Sequence, residues 1–158
     1  MKKLAIIYYS RTGNTEKMAH LIAEGAGMEL GVEVAVAAVC DFPAAKALDY
    51  DGIIVGSPTY YGSMSAEIKK FFDDSVSFHG KFNGKVGAAF SSSANVGGGN
   101  ETTILDILNA MLIHGMVIQG DPAGDHYGPV SIGAPDPRVE RQCRSLGRKI
   151  AALVKKVS

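Results

Sequence analysis

An α/β domain built on a parallel sheet, with helices on both faces, is the fold class that this sequence predicts. Three observations carry that prediction. Five short apolar runs alternate with segments of helical periodicity, the order expected of a parallel sheet with crossover helices. Three of the strand ends carry loops of small polar residues, and sheets of this class bind ligands outside the carboxyl ends of their strands. The 158 residues fit one domain, 1–158, long enough to bury a substantial core.

Each element has its own justification. Residues 4–9 are an apolar run, Leu-Ala-Ile-Ile-Tyr-Tyr, which suits a first strand. Met18, Leu21, Ile22 and Gly25 then recur at helical spacing, with an expected end near Gly27 or Gly31. Val32, Val34 and Val36 alternate with other residues, predicting a second strand to about Cys40. The Ala-rich connection over 41–50, which contains Pro43, has room for one or two helical turns. Residues 52–56 form a compact third strand that stops at Ser57-Pro58, since proline lacks the ladder donor. A helix over 65–73 buries Ile68, Phe71 and Phe72. The fourth strand covers 85–90, a loop covers 91–100, and a helix over 101–114 follows, with Asn100 as its expected cap. Residues 116–118 make a short fifth strand, and 120–137 read as a Pro/Gly-rich loop. The last helix repeats Val139, Cys143, Leu146, Ile150, Leu153 and Val157 on one face.

The chemistry gathers at three strand ends. Ser10-Arg11-Thr12-Gly13-Asn14-Thr15 lies between the first strand and the first helix. That position leaves backbone N–H groups of the first helical turn unpaired and places the positive end of the helix dipole beside them. Hydroxyls at Ser10, Thr12 and Thr15 and the amide of Asn14 add neutral donors, and Gly13 lets backbone approach an anion. The same residue types also make ordinary turns and N-caps, so the stretch by itself supports both readings. After the third strand, Tyr60 and Tyr61 offer a surface for a flat ring, and only one of them can lie against it; Tyr60 is the preferred one. After the fourth strand, Ser91-Ser92-Ser93-Ala94-Asn95 and Gly97-Gly98 reads either as a solvent loop or as a source of backbone donors and acceptors for a planar edge. A phosphate seat and a ring site together describe a mononucleotide such as FMN.

With these motifs in order, the chain resembles the flavodoxin-like FMN proteins over nearly its full length. The 10–15 turn is similar to the flavodoxin phosphate loop. Residues 56–65, Phe90-Ser91-Ser92-Ser93 with Gly97-Gly98-Gly99, and His114-Gly115-Met116-Val117-Ile118 resemble the WrbA-type NAD(P)H:quinone oxidoreductases most closely. The resemblance implies a three-layer sandwich around a five-stranded parallel sheet of order 2-1-3-4-5. It implies FMN as cofactor and NAD(P)H as a transient co-substrate. It places the phosphate on the loop of Ser10, Arg11, Thr12, Gly13, Asn14 and Thr15. It lays the ribityl chain and ring along Pro58, Thr59, Tyr60, Tyr61 and Gly62, and borders the ring's polar edge with Ser91, Ser92, Ser93, Ala94, Asn95, Gly97 and Gly98. It also brings His114 toward the flavin as the catalytic side chain, although a His before Gly at a helix end equally reads as a C-terminal cap.

Two departures stand against this pattern. The connection between strands two and three and the loop after strand five are shorter than in WrbA-type proteins, where they contribute to tetramer contacts and the active-site rim. Electron-carrier flavodoxins look strongly acidic around the flavin, whereas here 16 basic residues balance 16 acidic ones. An FMN-dependent oxidoreductase acting from NAD(P)H to a quinone is therefore the first expectation, and a flavodoxin-type carrier for redox-protein partners is the alternative.

Other classes are excluded by what the sequence lacks. There is no G-x-x-x-x-G-K-[ST] and no G-x-G-x-x-G after the first strand, which argues against triphosphate and dinucleotide sites. Tyr8-Tyr9-Ser10 and Gly56-Ser57-Pro58 replace the acidic positions a receiver domain needs. The balanced charge offers no nucleic-acid footprint, no residue cluster suggests a metal, and no run has membrane-spanning length. Cys40 and Cys143 are expected to be buried, reduced core residues of a cytoplasmic protein. A homodimer or homotetramer is expected to close the open side of the site.

Overall fold

The computed structural model describes residues 1–157. β1 (Lys2–Tyr8) is an interior strand of the sheet and pairs in parallel with β2 (Val32–Ala38) on one side and β3 (Gly52–Pro58) on the other. β3 pairs with β4 (Val86–Ser93), and the order β2-β1-β3-β4-β5 follows as the resemblance implies, with β5 at Val117–Ile118. The chain thus leaves β1 in one direction and returns on its other side, making the strand-order reversal at which α/β sheets bind ligands.

Alternation along the strands sorts the core into two layers. Leu4, Ile6, Ile54, Val86, Ala88 and Phe90 face α1 (Asn14–Ala26) and α4 (Pro137–Val157). Ala5, Ile7, Ile53, Val55 and Ala89 face α2 (Ala66–Asp74) and α3 (Asn100–Ile113). Both faces are covered, which is why the strands read as continuous apolar runs. Short 3₁₀ segments at Val39–Asp41, Ala44–Asp49 and Ser75–Phe78 complete the connections. The Lys85 ammonium holds one of them, donating to the carbonyls of Leu48 (2.6 Å) and Tyr50 (2.5 Å).

α1 and α4 touch backbone to backbone. A methyl group at Gly147 would overlap the carbonyl oxygen of Ile22, and one at Gly25 would overlap that of Arg144. The reciprocal absence of side chains lets the two helices close over the β1 face.

Four expectations are corrected. The stretch after β5 contains a sixth strand, β6 (Val130–Ile132), which pairs with the carboxyl half of β4 while β5 pairs with its amino half. The fifth position of the sheet is therefore filled by two pieces, with residues 119–129 looping out between them. That loop is tied to α4 by Lys149–Asp121 (3.1 Å) and Arg138–Asp125 (2.8 Å). Cys40 is exposed, because the chain turns into a 3₁₀ segment at Val39 and swings its side chain outward; Cys143 is buried as expected. Asn100 is the first helical residue, and Gly99 in the left-handed region is the cap position. On α4 the buried stripe ends at Val154, with Val157 exposed, since a period of 3.6 residues drifts off the assumed repeat over a long helix.

The Gly147→Ala substitution should cost about 1–3 kcal/mol of stability through overpacking at the α1–α4 contact, measurable as a lowered urea midpoint with unchanged slope.

Candidate functional site

The carboxyl ends of β1, β3 and β4 and the segment after β6 enclose a cleft of about 450 Å³. Its size falls in the range of small-molecule sites. Volume does not single it out, since a groove of about 480 Å³ lies between α1 and α4. That groove is lined by Glu29, Arg144 and Arg148, whose charges already pair with one another or with Glu24 and Glu140. The strand-end cleft differs in its chemistry.

Its floor is the turn into α1. Gly13 is left-handed (φ 96°), and Ser10 Oγ accepts from the Gly13 N–H at 3.1 Å, closing the loop upon itself. No side chain caps α1, so the N–H groups of its first turn remain available to a ligand. A Cβ at Gly13 would meet nothing within 4 Å, which leaves the approach open. Ser10, Thr12, Asn14 and Thr15 line the cleft, and Arg11 is the one charged residue among the described lining. Thr15 is buried, and its hydroxyl shares a 2.9 Å hydrogen bond with Ser92 Oγ, fastening this loop to the end of β4.

The walls come from the other two strands. β3 ends on Pro58, and Ser57 Oγ donates to the Pro58 carbonyl (2.7 Å) while accepting from the Ser65 N–H (2.8 Å). Ser65 in turn caps α2. Pro58, Thr59 and Tyr60 form one wall, while Ser92, Ser93 and Ala94 form the other. Tyr60 meets Tyr9 edge to face, with ring centroids 6.5 Å apart. The Glu67 carboxylate beside Tyr9 is the main cause that raises its phenol pKa.

Beyond Tyr60 the chain makes a two-residue hairpin. Tyr60 N–H donates to the Ser63 carbonyl (3.0 Å) and Ser63 N–H to the Tyr60 carbonyl (3.2 Å). Between them Tyr61 (φ 50°) and Gly62 (φ 77°) are both left-handed. Such a turn suits Asn-Gly; an aromatic residue at the first position costs roughly 1–2 kcal/mol.

The structure therefore brings most of the expected residues together and separates others. Tyr60, not Tyr61, borders the cleft; Tyr61 is wholly solvent-exposed at the hairpin tip, with Gly62 beside it. Asn95, Gly97 and Gly98 lie in the rim loop, outside the lining, where the Asn95 carbonyl accepts from Gly98 N–H (3.1 Å). Ser91 is corrected: it is buried in β4 and its hydroxyl donates to the Asn100 carbonyl (2.9 Å). Gly133, which follows β6, lines the cleft and was not expected. Its signal was the short Val130-Ser131-Ile132 alternation between Pro129 and Gly133, hidden in a loop-like stretch.

His114 is also corrected. α3 starts at the cleft and runs 14 residues toward the opposite edge of the sheet, about 20 Å at 1.5 Å per residue. His114 closes its far end, where the Gly115 carbonyl accepts from Gly84 N–H (3.0 Å) ahead of β4. Within its own chain it thus sits at the amino edge, away from the cleft. Ser75 Oγ donates to the Phe72 carbonyl (2.6 Å), so His114 Nε2 donates to Ser75 Oγ (2.7 Å). His114 Nδ1 is the buried side-chain nitrogen left without a partner among the described residues.

A doubly wound domain whose strand ends join an uncapped helix N-terminus to an aromatic wall defines a mononucleotide-binding protein of flavodoxin type. The chain belongs to the NADPH-dependent FMN reductase family, whose profile matches residues 1–127. It is 43% identical to a flavodoxin of Aquifex aeolicus, over 98% of this chain and 88% of that one. It is 35% identical to an NAD(P)H dehydrogenase (quinone) of Archaeoglobus fulgidus, over 99% of this chain and 100% of that one. Among solved structures it is similar to the flavodoxin, WrbA-like protein from Agrobacterium tumefaciens, with a TM-score of 0.84 at 26% identity and 100% of both chains covered. It is also similar to a flavodoxin from the domain Archaea, with a TM-score of 0.76 at 30% identity over 97% of this chain and 99% of that one. These likenesses bear out the flavodoxin-like FMN resemblance near the WrbA type and the class of FMN-dependent oxidoreductase.

Burial, and then the neighbouring His79, lowers the His114 pKa below the usual histidine value. The unfolded chain therefore binds the proton more readily than the folded one. The contribution of neutral His114 is complete above about pH 6.5 and is lost as the pH falls below that value toward the lowered folded pKa. Urea unfolding across this window should show stability declining with acid, and His114→Gln should flatten that part of the slope.

Proposed function

We propose that the cleft holds FMN and that the bound flavin carries electrons from NADH or NADPH to a small-molecule quinone. The single observation that carries this reading is the uncapped N-terminus of α1, ringed by neutral donors, opening into the same cleft as Tyr60. The donor set fits a phosphoryl dianion: backbone N–H groups and hydroxyls satisfy its oxygens, and Arg11 and the helix dipole offset its charge. Pro58, Thr59 and Tyr60 flank the ribityl chain and ring from one side, and Ser92, Ser93 and Ala94 present a polar edge from the other.

When bound, FMN supplies the hydride and electron chemistry. The chain's own residues position it. Ser10 fixes the loop through Gly13, Thr15 ties the loop to Ser92, and Ser57 couples the end of β3 to the cap of α2. No side chain is required as a nucleophile. The quinone reading is supported by the names of relatives such as the Archaeoglobus fulgidus protein, and the pyridine-nucleotide part of it by the family description.

A carrier moving electrons between redox-protein partners is the second reading, and the 43% identical relative named flavodoxin favours it. The neutral charge balance weighs against it, because acidic surfaces steer such partners. In either case a homodimer or homotetramer is part of the proposal. The α2–α3 end exposes Val76, Leu112 and Ile113, a surface that a second copy would cover. A cytoplasmic setting belongs to the same reading, with Cys40 and Cys143 free and unpaired with each other.

Anaerobic mixing of the FMN-loaded protein with NADH or NADPH tests the reductase. Bleaching of the oxidised flavin band, reversed by a benzoquinone, is the expected result. A flavin that stays oxidised with both nucleotides, yet takes up electrons from dithionite in two resolved one-electron steps, would favour the carrier.

Thr12→Ala should weaken FMN binding about tenfold, the loss of one charge-assisted hydrogen bond at roughly 1.5 kcal/mol. Riboflavin, which lacks the phosphate, should bind the variant and the parent equally.

A further inference from the structure

The hairpin beyond Tyr60 is a strained turn that something must hold. Its two central residues, Tyr61 and Gly62, are both left-handed, and Tyr61 makes this conformation unfavourable for an isolated chain. The first two turns of α3 lie against it. Thr102 Oγ1 donates to the Gly62 carbonyl (2.7 Å), and Ser63 Oγ donates to the Asp106 carboxylate. Thr103 Oγ1 reaches Thr59 Oγ1 at 3.1 Å. The backbones also meet closely, since a Cβ at Gly99 would come within 2.7 Å of Gly62 Cα. Three side chains of one helix thus grip three successive parts of one loop: its entry, its tip and its exit.

None of the three gripping residues lines the cleft, whereas Thr59 and Tyr60, the residues just before the hairpin, do. Their influence on a ligand is therefore indirect. We infer that Thr102, Thr103 and Asp106 are positioning residues: they hold the 59–63 turn and so fix the Thr59–Tyr60 wall against the flat part of the ligand. This rests on the FMN reading for the identity of the ligand, although the grip itself does not.

The hydroxyls also have a second acceptor. Thr102 Oγ1 and Thr103 Oγ1 both lie 2.9 Å from the Gly99 carbonyl, the back-bond available to a helical threonine. Each hydroxyl has one hydrogen, so each serves either the loop or its own helix at a given moment. The Gly99 carbonyl already accepts from the Thr103 N–H (3.0 Å), so when the loop moves away its second lone pair takes the buried Thr103 hydroxyl, while the hydroxyl of exposed Thr102 turns to water. The grip can release without leaving a buried donor unpaired, which makes its contribution a matter of placement rather than of folding.

The test separates the grip from the cofactor. Hydrogen exchange of the cofactor-free protein, read at the Tyr60 and Ser63 amides that bridge the hairpin, reports the turn alone. In Thr102→Val and Asp106→Ala the protection of these two amides should fall at least tenfold, while amides in the middle of α3 keep theirs. Thr102→Ser and Asp106→Asn retain a donor and an acceptor respectively, and should restore protection. In Thr102→Val and Asp106→Ala the affinity for FMN and for riboflavin should fall together, by about fivefold or more, because the wall faces the ring and not the phosphate. Unchanged protection in both disruptive variants would overturn the inference. So would lost protection with parental affinity for both flavins. If the parent protein binds neither flavin, the FMN reading fails on its own, and the grip is still decided by the exchange data.

Discussion

β1 is paired along its length on both sides, and the rest of the molecule depends on that double pairing. Leu4 to Tyr8 each have a partner on β2 and another on β3, in continuous parallel register. Parallel neighbours need crossover connections, and right-handed crossovers starting from a central strand must pass over opposite faces. The helices are thereby divided into two layers, and every strand sends its carboxyl end to the same edge. The turn into α1 and the turn out of β3 diverge there, leaving a gap that no side chain of the sheet can fill. The cleft is a consequence of strand order before it is a consequence of any residue in it.

What fills the edge of that gap decides its chemistry. A cluster of charged side chains would hold an anion by Coulomb attraction and bind many anions alike. Here Arg11 is the only charge among the described lining residues, and the remaining donors are backbone amides, hydroxyls and an amide. Such donors are directional, so they reward a tetrahedral group of one size in one orientation. The buried Thr15–Ser92 bond adds rigidity across two strand ends, and preorganised donors lose less entropy when a ligand arrives.

Much of this was legible in the residues. Helical spacing and the alternation of Val32, Val34 and Val36 located the long elements because each buries a defined face, and the continuous apolar runs of β1 and β3 showed that both faces of the sheet are covered. The 10–15 turn was legible because its position between strand and helix fixes where its donors point. β6 was not, since three residues between a proline and a glycine carry too little periodicity to stand out. Ser91 was not legible because nothing in a run of three serines marks where the strand ends: β4 continues to Ser93, so Ser91 lies buried behind the edge that Ser92 and Ser93 form. The choice between the two readings of His114, flavin-facing side chain or helix cap, was not legible for a different reason. A resemblance attaches residues to a site without saying which end of a helix that site occupies, and α3 spans the domain from one sheet edge to the other.

The division of the last sheet position into β5 and β6 has a further consequence. Each piece is pinned to a different half of β4, so residues 119–129 form a closed detour whose two ends are fixed independently. The detour is also moored to α4 through Asp121 and Asp125. Length can be added to or removed from its middle without changing strand register, core packing or the turn into α1. Its downstream end leads through β6 to Gly133 at the cleft. This chain thereby has a segment that can change length beside the cleft while the turn into α1 stays unaltered.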